Sequence, residues 1–306
     1  MIRTNQIKNI SGDQKLGIVK FFYWMIIAFI NNLLNSKITL SETKILKFKP
    51  KKNSNSLINL CPSPSRYWCD LFWRSLPFKI IFKSGINALE VGCGSGTYGF
   101  FLKKNSNFKN YTGIDIQIND NWRKHAEPKM KFYKNTCYNV VKYLKNINFL
   151  FTQSALEHFE YDLRFHKIVS KFLRKRKKSF FQLHLIPSDQ CLFTYLAHGY
   201  RHFNLGSVSK IKEIYKKNTN TSFVLFELGS YHSWYLHFKF ITIPQFIKFL
   251  PSRENNKEIY KKFLFNAVKK DSKQNIYNKN KVSFYALMIF SNYSKNQIKK
   301  IINKYS

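Results

Sequence analysis

ALEVGCGSGTYGFF, Ala88 to Phe101, joins an apolar strand-like run to a helical one through a glycine-rich loop. Such a loop lets backbone N–H groups and a helix N-terminus come close to a ligand, so it marks the first strand of a nucleoside-binding α/β sheet. It reads in two registers. Gly92, Gly94 and Gly96 form G-x-G-x-G with Glu90 two residues upstream, whereas Gly94, Gly96 and Gly99 form the dinucleotide pattern G-x-G-x-x-G. The glycines alone do not choose between them.

Working outward, apolar runs alternate with helical ones: INALEVG then TYGFFLKK, YTGIDI, MKFYKN then CYNVVKYLK, INFLFTQS then LRFHKIVSKFL, and SFFQLHLIP. Five short strands separated by helical stretches specify a parallel, doubly wound sheet. Two later strand candidates, SFVLFELG (222–229) and KVSFYALMIFSN (281–292), are separated by about 50 residues. They suggest a sheet closed by an antiparallel pair, with the aromatic segment YHSWYLHFKF between them free to cover a substrate. The expected fold is therefore α/β: a Rossmann-like doubly wound sheet of about seven strands with a late antiparallel pair, plus an N-terminal helical extension. Residues 1–60 read as an apolar helix and a basic linker, 61–295 as the main domain with an insertion at about 230–280, and 296–306 as a tail.

The chain has 306 residues, of which 44% are hydrophobic and 17% aromatic, enough to bury a core. Its formal net charge of +36 would ordinarily point to nucleic acid or an anionic membrane. Lys, Asn, Ile and Phe are spread almost everywhere, however, a bias that looks like base composition rather than a binding patch, so nucleic acid is not the expected partner. RKRKK, Arg174 to Lys178, ends a predicted helix, where positive charge complements the helix dipole. The five cysteines form no C-x-x-C pair and are odd in number, which argues against a disulfide framework or structural zinc and for a reducing compartment. FFYWMIIAFI, Phe21 to Ile30, has ten apolar residues against the about 20 a spanning helix needs, and reads as a buried or interfacial helix. The expected location is the cytoplasm, with peripheral contact to the inner face of an anionic membrane as a secondary expectation.

The chemistry is decided by what surrounds the loop. Glu90, at the strand end, is placed to organise the ammonium group of S-adenosylmethionine (SAM). Asp115 ends the second strand 21 residues beyond Gly94, where a carboxylate accepts ribose hydroxyl protons, and Ile116 beside it is placed against an adenine face. Together with SALEHF, Ser154 to Phe159, these residues resemble class I SAM-dependent methyltransferases, in particular the type 11 group with its E-H pair after the fourth strand. SRYWCDLFW, YTGID and HLIPS are further similar to methyltransferases found among surface-polysaccharide genes.

The resemblance implies that Glu90, Gly92, Gly94 and Gly96 hold the methionine end of SAM, that Asp115 binds the ribose, and that Asn135 and Thr136 meet the adenine edge. Ser154 is grouped with these cofactor residues. Asn148 stands where the family has F-D, so any role for that carboxylate is lost. Some relatives bind a divalent metal through E-x-x-E-H; Ser154 occupies the first of those positions, and no metal is expected. Glu157 and His158 lie where catalytic groups collect in open α/β sheets, and His202 is the second candidate base; His184 and His198 also follow the fourth strand. The expected activity is methyl transfer to a small-molecule or glycan acceptor, at oxygen, with an RNA methyltransferase and a non-catalytic SAM-binding protein as alternatives. No N/D-P-P-Y/F motif for base-nitrogen methylation is present.

Overall fold

The computed structural model describes residues 43–50, 61–194, 202–218, 220–247, 252–273 and 281–305, with Val19, Phe22, Tyr23, Ile26 and Ile30. Eight strands form one sheet: β1 (Lys44–Lys47), β2 (Ile86–Val91), β3 (Phe108–Asp115), β4 (Met130–Lys134), β5 (Phe149–Gln153), β6 (Phe180–Pro187), β7 (Thr221–Leu228) and β8 (Phe284–Ser291). Their order is β1-β7-β8-β6-β5-β2-β3-β4. Pairing is parallel throughout, except that β8 runs antiparallel to both β6 and β7. The doubly wound sheet and its late antiparallel strand are those the sequence specified.

The count is one strand higher than expected. Lys44–Lys47 pairs with Val224–Glu227, and the next residue, Phe48, is buried against Trp68 and Phe72. A four-residue run among lysines carries too little periodicity to reveal an edge strand, and only the open side of β7 makes it one. Most of the apolar run Phe21–Ile30 and of the basic stretch after Pro50 lies outside the described residues.

Helices cover both faces. Helix α1 (Pro64–Ser75) starts where Ser63 Oγ accepts the Arg66 N–H at 3.2 Å and Pro64 occupies the first turn; it stops before Pro77, whose ring disfavours a helical Leu76. With α2 (Phe78–Ile81), α3 (Thr97–Asn105), α9 (Lys257–Lys273) and α10 (Lys295–Ile302), it packs on one face through Trp68, Phe72, Trp73, Phe149, Phe151 and Phe290. Helices α5 (Asp162–Leu173) and α6 (Leu205–Tyr215) cover the other through Leu89, Leu150, Phe165, Val169 and Ile211. Strand β5 shows why: Phe149 and Phe151 enter one core and Leu150 the other, as a period of two demands. The short α4 (Asn121–His125) follows β3, while α7 (Tyr231–His237), a π-helical turn at Phe238–Thr242 and α8 (Ile243–Phe246) follow β7. No helix among the described residues is long and apolar enough to cross a membrane.

Candidate active site

A cavity of about 910 Å³ opens at the carboxyl ends of β2, β3 and β5, where the sheet order reverses between β2 and β5. The glycine loop forms its floor. Gly92, Gly94 and Gly96 all have positive φ, but they do different work. A Cβ on Gly92 would collide with the Ala155 methyl, and one on Gly96 would meet the Phe132 ring at 2.5 Å, so both positions are set by packing. A Cβ on Gly94 would meet nothing within 4 Å: it faces open space over the cavity. Its peptide is held on both sides, the N–H donating to Asp115 Oδ2 (2.9 Å) and the carbonyl accepting from Trp122 Nε1 (2.7 Å). Gly99 does not join the loop. A Cβ on Gly99 would meet the Tyr111 ring at 2.7 Å, so this glycine serves the close packing of α3 on the sheet.

Glu90 ends β2 inside the cavity and is 1% exposed. Tyr111 Oη donates to its Oε2 at 2.5 Å. Burial pushes the Glu90 carboxyl up to about 8; the Tyr111 hydrogen bond and the nearby Arg66 charge oppose this, and Asp115 adds to it. Asp115 lines the cavity and accepts the Gly94 and Gln117 N–H groups, one on each oxygen, so each oxygen retains acceptor capacity. Ile116, 63% exposed, lines the same wall. Asn135 and Thr136 line it too, yet the Asn135 side chain is spent locally: Oδ1 accepts from Thr136 N and Asn139 Nδ2, and Nδ2 donates to the Tyr143 hydroxyl.

Ser154, immediately after β5, is held at φ 52, a left-handed conformation uncommon for serine. Its Oγ donates to Glu157 Oε1 at 2.8 Å. Ser154 and His158 line the cavity; Glu157 is fully buried and does not. His202, 1% exposed, also lies outside the lining, next to Phe203, which pairs with Ser188. His184 is buried in β6, bonded to Thr152 Oγ1 at 2.9 Å, and His198 lies outside the described residues. Of the candidate bases among the described residues, the structure therefore brings only His158 to the cavity. No group of three or more His, Cys, Asp or Glu side chains able to hold a metal occurs among the described residues. Asn148 sits at the opposite end of the sheet, tying β5 to β2 through Asn87 N (2.9 Å) and Gly85 O (2.8 Å).

Several lining residues carried no sequence signal for this role: Arg66, Tyr98, Gln153 and Arg253. Arg66 and Tyr98 are linked at 3.3 Å, and Tyr98 Oη donates to Asp70 at 2.8 Å. Arg66 lies in the quoted SRYWCDLFW stretch, and only the docking of α1 across the sheet brings it to Glu90.

No protein-family model matches the chain, and no curated protein is similar to it in sequence. Solved structures with a similar chain path include the plantazolicin methyltransferase BamL in complex with a triazolic desmethylPZN analog and SAH, at 14% identity over 72% of this chain and 84% of that one, with a TM-score of 0.44. A SAM-dependent methyltransferase from Archaeoglobus fulgidus is 18% identical over 75% of this chain and 95% of its own, with a TM-score of 0.43. The [4+2]-cyclase SpnF is 11% identical over 89% and 94%, with a TM-score of 0.47.

Proposed function

We propose that the chain is a SAM-dependent methyltransferase acting on a small-molecule or glycan acceptor, at oxygen. The observation that carries this reading is the convergence in one cavity of Glu90, the open face of Gly94 and Asp115. A dinucleotide asks the loop for a pyrophosphate site, whose negative charge would further oppose ionisation of the buried Glu90 carboxyl beside it. An amino-acid end carrying an ammonium suits it. Glu90 would hold the ammonium, the loop backbone would lie along the methionine chain, Asp115 would accept the ribose hydroxyls, and Ile116 would cover the adenine. The remaining wall at Asn135–Tyr138 would offer backbone groups to the adenine edge, since the Asn135 amide is committed to its own turn.

The bound cofactor supplies an electrophilic methyl carbon on a sulfonium. The residues of this chain then have two tasks: aligning an acceptor oxygen with that carbon, and removing its proton. Alignment alone can supply roughly 7 to 11 kcal/mol of the barrier. His158 is the lining residue suited to the second task, and Ser154, anchored on Glu157, sets the turn that presents it. Glu157 therefore acts through the backbone rather than on the acceptor. The preference for oxygen rests on the absence of a base-methylation motif after β5, and the glycan class on the motif resemblance.

Calorimetric titration with SAM, SAH and NADH tests the reading directly: binding of SAM and SAH without NADH is expected, and preferential NADH binding would overturn it. Transfer of labelled methyl into an extract, followed by mass spectrometry for a CH₂ increment, then identifies the acceptor. His158→Ala is expected to lower the transfer rate about 100-fold or more with SAM affinity unchanged. An unaltered rate removes His158 from the mechanism.

A further inference from the structure

The end of the cavity formed by α1, β5 and the insertion gathers several hydrogen-bond donors. Gln153 closes β5, lines the cavity and is only 5% exposed. Its Oε1 accepts the Trp73 indole N–H at 2.8 Å, which settles the orientation of the amide. The NH₂ end is thereby committed as a donor; its Nε2 meets the Cys69 thiol, a weak acceptor, and makes no hydrogen bond to an oxygen or nitrogen. A buried donor whose neighbour is a thiol is only weakly satisfied, and an oxygen acceptor would satisfy it better.

Two arginines share that end. Arg66, in α1, gives one N–H to Tyr98 and follows the segment Cys61–Pro62–Ser63, which also lines the cavity. Arg253, from the insertion, meets the same segment: its carbonyl accepts from Cys61 Sγ at 3.8 Å, and its N–H donates to the Phe240 carbonyl at 3.2 Å. The Tyr260 hydroxyl ties the insertion to Pro62 O at 2.9 Å. The backbone of Arg253 is thus pinned beside the cavity. Its ion pair with Glu254 is long, 3.8 Å, and Glu254 is 75% exposed, so the charge of Arg253 is weakly compensated. Asp115 and the ribose wall stand on β3, whereas the arginines flank the start of α1.

We propose that this end is the acceptor subsite and that the acceptor carries an anionic oxygen group, carboxylate or phosphate, held by Arg253 and Arg66 with the Gln153 amide N–H as the third donor. The proposal deepens the methyltransferase reading by naming a substrate class, and rests on it. Planar guanidinium groups favour oxyanions over neutral hydroxyls, because only an anion compensates their charge and accepts from both N–H groups of a guanidinium edge. The acid group would anchor the acceptor at its far end, with its nucleophilic oxygen directed toward His158.

The test uses the full chain saturated with SAH, titrated at fixed ionic strength with inorganic phosphate and, separately, with acetate. Saturable binding of at least one of these anions is expected, weakened tenfold or more in both Arg253→Gln and Gln153→Glu, with SAH affinity unchanged. The second variant keeps the oxygen that Trp73 needs and replaces the amide donor by a charge that repels anions. The phosphate and acetate arms tell the two acid classes apart. Absence of saturable binding, or binding equal in wild type and both variants, overturns the proposal. A parallel loss of SAH affinity in Arg253→Gln also overturns it, by assigning the arginine to the cofactor. Failure of the wild type to bind SAH would instead defeat the methyltransferase reading, and the anion titrations, run without SAH, would still report whether the donor cluster takes oxyanions.

Discussion

At the scale of single residues, the cavity depends on how three side-chain-free positions and one carboxyl divide their tasks. Gly94→Ala adds a methyl into open space at φ 49, so it should cost the fold only about 1 kcal/mol while blocking the approach of a ligand to the loop. Gly96→Ala, at φ 79 with its methyl against Phe132, should destabilise the fold more than Gly94→Ala does. Urea unfolding and SAH titration on the two variants separate these effects, and equal losses of stability would contradict the assignment. Glu90 makes a second expectation. Its carboxyl is neutral until pH nears about 8, whereas a bound ammonium favours its ionised form. SAM binding should therefore release a proton at pH 7, and affinity should rise from pH 6 toward 8, above which the ligand's own α-amino group begins to lose its charge. In Glu90→Gln the affinity should fall about tenfold or more and that rise should flatten. A variant that keeps the wild-type pH profile would show that another group is responsible. Glu90 and Asp115 were legible from their spacing to the glycines; Tyr111 and Gln153 were not, because their roles come from strands adjacent in space but distant in sequence.

Among the elements, the insertion shows how a segment with weak local signals is locked. Helix α7 begins at Tyr231 with no side-chain cap of its own. The missing acceptor comes from α9: the buried Asp271 carboxylate takes the N–H groups of Ser230 (3.2 Å), His232 (3.0 Å) and Ser233 (2.9 Å). This is capping in trans, and Asp271→Ala should lower stability by about 2 kcal/mol or more, measured by urea unfolding. A loss under about 0.5 kcal/mol would show that water replaces the carboxylate readily. One member of the RKRKK run has a structural use. Arg176 reaches from the end of α5 to the carbonyls of Leu144 and Lys145 and to that of Ile147 at 2.5 Å, closing the turn that leads into β5. Charge runs and long-range caps share one property: their partner lies on another element, so no local pattern announces them.

The whole molecule carries a buried polar cluster behind the site. His166 and His184 stand 5.0 Å apart between α5 and β6, with Thr152, Gln182 and Tyr215 as partners. Burial pushes both imidazoles down, His184 to about 3, and for His166 the neighbouring His184 adds to the effect. Both stay neutral when folded, whereas in the unfolded chain they take up protons below about pH 6.5. Stability should therefore fall as pH drops through the window from about 6.5 to 3, each histidine contributing a slope of about 1.4 kcal/mol per pH unit. Glu90 works in the opposite sense between about 4.5 and 8, since the folded state then holds a proton the unfolded state has released. Urea midpoints at pH 7 and 5 check this: His184→Gln should lessen the acid loss, and an unchanged slope would sink the account. What the sequence by itself determined is the part written in local periodicity and spacing: the alternation of strands and helices, the late antiparallel strand, the glycine loop, and the carboxylates at the ends of β2 and β3. Tertiary structure decided the rest. It made Lys44–Lys47 an edge strand, turned Glu157 and His202 away from the cavity while leaving His158 in it, and gathered Arg66, Gln153 and Arg253 from three distant segments. The physical reason is that a strand or loop pattern follows from each residue's own backbone and neighbours, whereas the direction and charge of a side chain follow from what packs against it.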